Sequence, residues 1–213
     1  MFNKRHIVRT IAATVSILAL SFTAACGSGQ STASNSTDSD DITQQTYKPG
    51  KLTIATGQPA YEPWVMNDKP ESGEGYEAAV AYAVADKLGF KKSDVVWTRT
   101  AFATAIAPGA KDWDFNIQQF GITDERKKAV DFSSSYYNDS QSVVVKKDSK
   151  FANATKVSDL KNATVGVMVG TLAYDYAKAN IKDDIQTFND DAALAQALDA
   201  GQIDALVTST VEC

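Results

Sequence analysis

Residues 52–56 read LTIAT, residues 75–89 read GYEAAVAYAVADKLG and residues 95–98 read VVWT. The first run alternates apolar and polar positions, as a half-buried strand does. The second places Tyr76, Ala79, Val80, Ala83, Val84 and Leu88 at the i, i+3, i+4, i+7 spacing of a helix with one face in a core, and Gly89 follows as a stop signal. The third is a further strand. A short helix over 101–107, ended by Pro108, and a strand around 114–118 continue the alternation. Strand, helix, strand, helix, strand predicts a mainly parallel sheet covered by helices, hence the α/β class.

The pattern repeats downstream. A β-rich segment, Ser142 to Lys146, is expected to cross between two lobes. It is followed by a helical turn near 157–160, a strand over 164–169, a helix over 171–179, a strand near 185–188, a helix over 190–200 and a strand over 203–207. The expected organisation is a signal segment at 1–25, a tether at 26–46, a first α/β lobe at 47–140 and a second at 141–213.

The opening segment is basic (Lys4, Arg5, His6, Arg9), then apolar from Ile11 to Leu20, then small at Ala24 and Ala25 before Cys26. That is the layout of a secretory signal, and the apolar run falls short of the roughly 20 residues of a spanning helix. Thr23-Ala24-Ala25-Cys26 resembles the bacterial lipobox, which implies that Cys26 is lipid-modified and leaves no free thiol for a disulfide with Cys213. Thr23 departs from the more usual leucine. Gly27 to Gln45 offers almost nothing apolar to bury and is expected to be a disordered tether.

The chain carries 21 Lys and Arg against 26 Asp and Glu, a formal net charge of −5, and loss of the basic signal would make it more acidic still. Phosphate-backbone binding needs a clustered basic surface, so nucleic acid is not an expected partner. The single histidine, His6, lies in the signal segment, so the commonest general base and metal ligand is absent from the body. No metal cluster, phosphate loop or nucleophile paired with a base is visible, and no cofactor is expected.

The densest polar cluster, Gln118 to Arg126, lies just beyond the third expected strand, where parallel α/β sheets bind ligands. Thr123 reads as a helix cap, with Asp124 and Glu125 favoured in the first turn by the helix dipole. Arg126 is disfavoured by that dipole. It is either a bidentate clamp on a ligand carboxylate or a solvated cation paired with a nearby acid.

Four stretches carry a family resemblance: Leu52 to Trp64 (LTIATGQPAYEPW), Gly121 to Tyr137 (GITDERKKAVDFSSSYY), Asp159 to Thr171 (DLKNATVGVMVGT) and Ala192 to Val207 (AALAQALDAGQIDALV). They resemble the extracellular solute-binding proteins of the polar amino acid type, family 3, and they occur in that family's order. The resemblance implies a two-lobe, periplasmic-binding-protein-like (type II) architecture whose lobes close on a ligand in the cleft. It implies that Arg126 grips the ligand carboxylate, with the Gly121 amide assisting beside Gln119 and Phe120. It implies that Tyr61 and Trp64 pack on the ligand side chain, and that Gly170 and Thr171 offer amide donors at a helix start. Ordinary lobe packing would also explain Tyr61 and Trp64, and a tight turn would explain Gly170.

Two departures from the family pattern stand out. The places where an acid usually holds the ligand ammonium read Gln58 and Ser209, with Glu62 either a substitute or a solvated loop acid. The chain also ends after Val211-Glu212-Cys213, where the family continues, so the second lobe and the return crossing are expected to be incomplete.

The resemblance implies an ABC-importer binding component, lipid-anchored on the extracytoplasmic face of the cell membrane. It would capture an amino acid or related small carboxylate, meet the permease subunits and act as a monomer. The readings set beside it are a dehydratase-like enzyme on the same scaffold, which without histidine would rest on a carboxylate such as Glu62, and an inactive truncated product.

Overall fold

The computed structural model of the protein describes residues 41–212. The expected signal segment, Cys26, the tether up to residue 40 and Cys213 lie outside the described residues. Residues 41–46, expected to be part of the unstructured tether, are folded. The Asp41 carboxylate accepts from the Thr43 amide at 2.9 Å and from its hydroxyl at 2.7 Å, capping a 3-10 turn at Ile42–Gln44. Composition alone does not weigh the local hydrogen bonding that an Asp-x-Thr pair offers the backbone.

The first unit contains β1 (Leu52–Gly57), α1 (Tyr76–Lys87), β2 (Val95–Thr100), α2 (Phe102–Ile106) and β3 (Phe115–Asn116). Its sheet is wholly parallel in the order β2-β1-β3. The central strand, β1, is buried along its entire length, as a strand covered on both faces must be. Leu52 and Ile54 pack with Ala81, Ala85, Phe90, Phe115 and Ile117, while Ala55 packs with Ala105, Trp113 and Val130.

The helix over 76–87 is present, but its buried face is rotated from the expected one. Glu77, Ala78, Ala81 and Ala85 point inward, whereas Tyr76, Ala79 and Ala83 are exposed. Alanine and valine surround the helix on nearly every side, so apolar spacing does not fix the phase. The one residue that does fix it, Glu77, is charged and is not counted by a hydrophobic pattern.

The second unit contains β4 (Gln141–Val145), β5 (Val165–Met168), α3 (Leu172–Asn180), β6 (Ile185–Phe188), α4 (Asp191–Asp199) and β7 (Ala205–Ser209). The sheet order is β4-β7-β5-β6, with β4 antiparallel to β7 and the other pairs parallel. The segment expected to cross between lobes is thus an edge strand of the second sheet. The passage between sheets is made by the irregular stretch 132–140. Val165, Val167, Ala205 and Val207 bury one face against Ala173 and Ala177 of α3. Leu206 joins Leu194, Ala197 and Leu198 of α4 and Ile203 on the other.

Candidate functional site

A cleft of about 590 Å³ opens where the carboxyl ends of the parallel strands of the two units meet. From the first unit it is lined by Thr56 and Gly57 at the end of β1, Gln58 to Tyr61 and Trp64 in the loop that follows, Phe102 at the start of α2, and Gln118 to Gly121 after β3. The second unit contributes Met168 at the end of β5, Thr171 to Ala173 at the start of α3, Asn189 to Asp191 after β6, and Thr208 and Ser209 at the end of β7.

Arg126 lies in a 3-10 turn, Arg126–Lys128, whose entry is fixed by Thr123, its hydroxyl accepting from the Arg126 amide at 3.2 Å. The guanidinium donates through Nη1 to the Gly121 carbonyl and through Nη2 to the Gly170 carbonyl, each at 2.8 Å. It also lies 5.6 Å from the ring centres of Phe102 and Phe120, which stack on one another at 4.0 Å. Among the described residues no carboxylate forms an ion pair with it. Burial lowers its pKa and Asp175 on α3 opposes this at longer range, but a guanidinium stays charged at any physiological pH. The result is a partly desolvated cation on an aromatic bed, oriented by carbonyls that do not neutralise it.

Of the ten residues singled out from the sequence, nine line the cleft. Gly170 does not. Its φ is +75°, and its carbonyl, not its amide, is what touches another site group, the Arg126 guanidinium. Thr171 lines the cleft while capping α3, with its hydroxyl accepting from the Tyr174 amide at 3.4 Å and donating to the Met168 carbonyl at 2.8 Å. The Tyr61 hydroxyl accepts from the Ala192 amide at 3.3 Å, so the first-unit loop is bound to the first turn of α4. Trp64 is only 3% exposed, edge-on to Tyr137 at 5.1 Å and to Tyr76 at 6.0 Å, and its indole N–H is buried with no partner among the described residues. It therefore packs its unit while leaving a buried donor unmatched. Gln58 and Ser209 also face the cleft, but Glu62 does not. Its carboxylate is exposed and accepts from the Asn67 amide at 3.1 Å.

The loop carrying Gln58, Tyr61 and Trp64 is strapped from below. Arg99 donates to the Gly57 carbonyl at 2.7 Å and pairs with Asp68 at 2.7 Å, and Asp68 in turn accepts from the Ala60 amide at 2.8 Å.

Sequence reasoning missed the most deeply buried acid. Glu77, fully buried on α1, accepts from the Gln119 amide at 2.8 Å, from the Gln119 side-chain amide and from the Tyr136 hydroxyl. Gln119 is held at a φ of +52°, a left-handed conformation that a glutamine rarely adopts, and this double grip from Glu77 is what sustains it. Burial pushes the Glu77 carboxyl above the usual carboxylate range, and the three donors oppose that shift. Burial, then the Glu77 charge, push the Tyr136 hydroxyl up, so it keeps its proton and donates. The signal in the sequence was an acid in the first turn of a helix whose middle is mostly Ala and Val. Asp190 and Asp191 were also missed, because a pair of acids at a helix start reads first as a cap.

Residues 52–191 match the family model of the bacterial extracellular solute-binding proteins, family 3. The chain belongs to this family. The L-cystine-binding protein TcyJ of Escherichia coli (strain K12) is 31% identical over 148 residues, which cover 69% of this chain and 54% of that protein. The glutamine-binding protein of Geobacillus stearothermophilus is 33% identical over 222 residues, covering 96% of this chain and 82% of the other. Among solved structures, an ancestral arginine-binding protein bound to glutamine superposes with a TM-score of 0.63 at 33% identity, covering 76% of this chain and 70% of that one. The chain thus spans about half the length of the cystine-binding relative, and its fold is that of the family's two-lobe amino-acid-binding proteins over the part they share.

Proposed function

We propose that this protein is the extracytoplasmic binding component of an ABC importer and captures an amino acid or related small carboxylate between its two α/β units. The observation that carries the reading is Arg126. It is a cation held in the cleft by two carbonyls and two aromatic faces, with its charge left for an anion to meet. A ligand carboxylate supplies that anion with paired charge-assisted bonds. Membership of a family whose relatives are named for binding cystine, arginine and glutamine supports the same conclusion.

Binding without catalysis is the reading the cleft favours. The relatives are named for what they bind, and the deepest carboxylate of the cleft, Glu77, is engaged by three donors of its own protein. The signal layout ending in Ala25-Cys26 supports export and attachment to the outer face of the membrane through a lipid on Cys26, with delivery to permease subunits by a monomer.

Thermal unfolding of the chain from Ser28 onward, alone and with each of a panel of amino acids and small carboxylates, tests the binding reading. A ligand at a hundred times its dissociation constant adds about 2.7 kcal/mol. A rise in the midpoint that Arg126→Ala abolishes supports it, and no response to any compound overturns it.

A further inference from the structure

Gly121 in the first unit and Gly170 in the second are glycines for different reasons. Gly170 has a φ of +75°, and a Cβ there would meet nothing within 4 Å, so its backbone is what asks for glycine. Gly121 lies outside the left-handed region, and its backbone would accept other residues. Space is what it lacks. A Cβ at Gly121 would lie 2.3 Å from Leu172 Cδ1 and 3.2 Å from Leu172 Cγ, where carbon atoms in ordinary contact stay about 3.5–4.0 Å apart. Rotation about the leucine χ2 would move Cδ1 aside but leave Cγ where it is.

Leu172 belongs to the other unit. It is the half-buried first residue of α3, and the Thr171 cap beside it braces the turn through the Met168 carbonyl at 2.8 Å and the Tyr174 amide at 3.4 Å. The leucine therefore projects from a fixed turn into the notch left by the missing side chain of Gly121. Arg126 borders the same notch, with Nη1 3.6 Å from the Cβ position at Gly121 and 2.8 Å from the Gly121 carbonyl. Two residues before Leu172, the Gly170 carbonyl accepts from Arg126 Nη2 at 2.8 Å. The turn at 170–172 thus meets the first unit through one polar and one apolar contact, both beside the cation. An apolar group seated there keeps water from that side of the guanidinium, which strengthens the charge-assisted bonds it makes.

We infer that Leu172 and Gly121 form a size-matched seat across the cleft, which sets how closely the two units approach around Arg126 and thereby controls ligand affinity. This rests on the binding function proposed above. Leu172 is then a positioning residue that acts on the ligand through Arg126 and the width of the cleft, and the small size of residue 121 is a requirement of this leucine. A side chain at 121 holds the units about 1 Å further apart, which takes a bond such as that from Arg126 to Gly170 out of hydrogen-bond range.

The experiment is calorimetric titration of wild type, Gly121→Ala, Leu172→Ala and the double variant with L-glutamine, L-arginine and L-cystine, together with urea unfolding of each protein without ligand. Wild type should bind at least one of the three. Gly121→Ala should weaken that binding roughly tenfold to a hundredfold, the range for an overpacked methyl group. In the Leu172→Ala background the same change should cost at most about twofold, whereas a general structural defect at 121 would cost the same in both. Gly121→Ala binding as tightly as wild type, or costing equally in both backgrounds, overturns the inference and leaves the function standing. If Gly121→Ala unfolds more easily than wild type, the comparison is read from the urea midpoints, where recovery in the double variant supports the seat and no recovery overturns it. Failure of the wild type to bind any of the three compounds overturns both the inference and the function.

Discussion

The guanidinium of Arg126, rooted in the first α/β unit, donates to the carbonyl of Gly170 in the second at 2.8 Å. The same side chain that would grip a ligand therefore also ties the two walls of the cleft together, with the Tyr61–Ala192 bond as a second tie. On the binding function proposed above, ligand contact and closure would share one group, which is how a cleft can report its occupancy.

The sharing makes Arg126 sensitive to geometry as well as charge. Lysine keeps the charge, but its ammonium lacks the planar fork that reaches Gly121 and Gly170 while leaving further donors for a ligand. Arg126→Lys is expected to weaken amino acid binding roughly tenfold or more, measured by titration with L-glutamine and L-arginine. Affinity equal to wild type would remove the fork from the mechanism.

Trp64 gives an optical test of where the ligand sits. Of the three tryptophans, Trp64 lines the cleft, Trp97 donates its indole N–H to the Tyr82 hydroxyl, and Trp113 is buried beside Ala55, Ala105 and Val130. Saturating ligand should change the intrinsic emission of wild type. Trp64→Phe should lose that change, while Trp97→Phe and Trp113→Phe keep it. A response that survives in Trp64→Phe places the ligand away from this wall.

Much of this arrangement was legible in the sequence, and the reason differs by residue. Strand and helix order follows from apolar spacing and from Gly and Pro punctuation, which are local. Arg126 stood out because a cation is out of place in a first helical turn, but that left a clamp and a solvated cation both open, and only the family resemblance pointed to the clamp. Glu77 was not, since its burial depends on Gln119 and Tyr136, each about forty to sixty residues away in sequence. The phase of α1 was lost with it.

Gly75 links the helix to the cleft. Its φ is +102°, and a Cβ there would lie 2.5 Å from the Trp64 carbonyl oxygen, the acceptor for the amides that open α1 at Glu77 and Ala78. Gly75→Ala therefore adds a left-handed penalty to a backbone clash and displaces Trp64. A loss of about 2 kcal/mol or more is expected in urea unfolding, with weaker ligand binding. A variant as stable as wild type would mean that this junction relaxes freely.

Glu77 predicts a pH dependence whose sign follows from its surroundings. Burial raises its native pKa above the unfolded value of about 4.3. Between those two values the native state holds more protons than the unfolded chain, so stability falls as pH rises. The contribution is fully present below the ordinary glutamate range and is lost as pH rises through the elevated native value. Glu77→Gln is uncharged throughout, and a flipped Gln119 amide can keep its bond to the new side chain. The stability of wild type minus that of Glu77→Gln, taken from urea unfolding between about pH 4 and about pH 8, should therefore decrease as pH increases. A difference that grows with pH would mean that the Gln119 and Tyr136 donors outweigh desolvation, and that the carboxylate is held charged beneath the cleft.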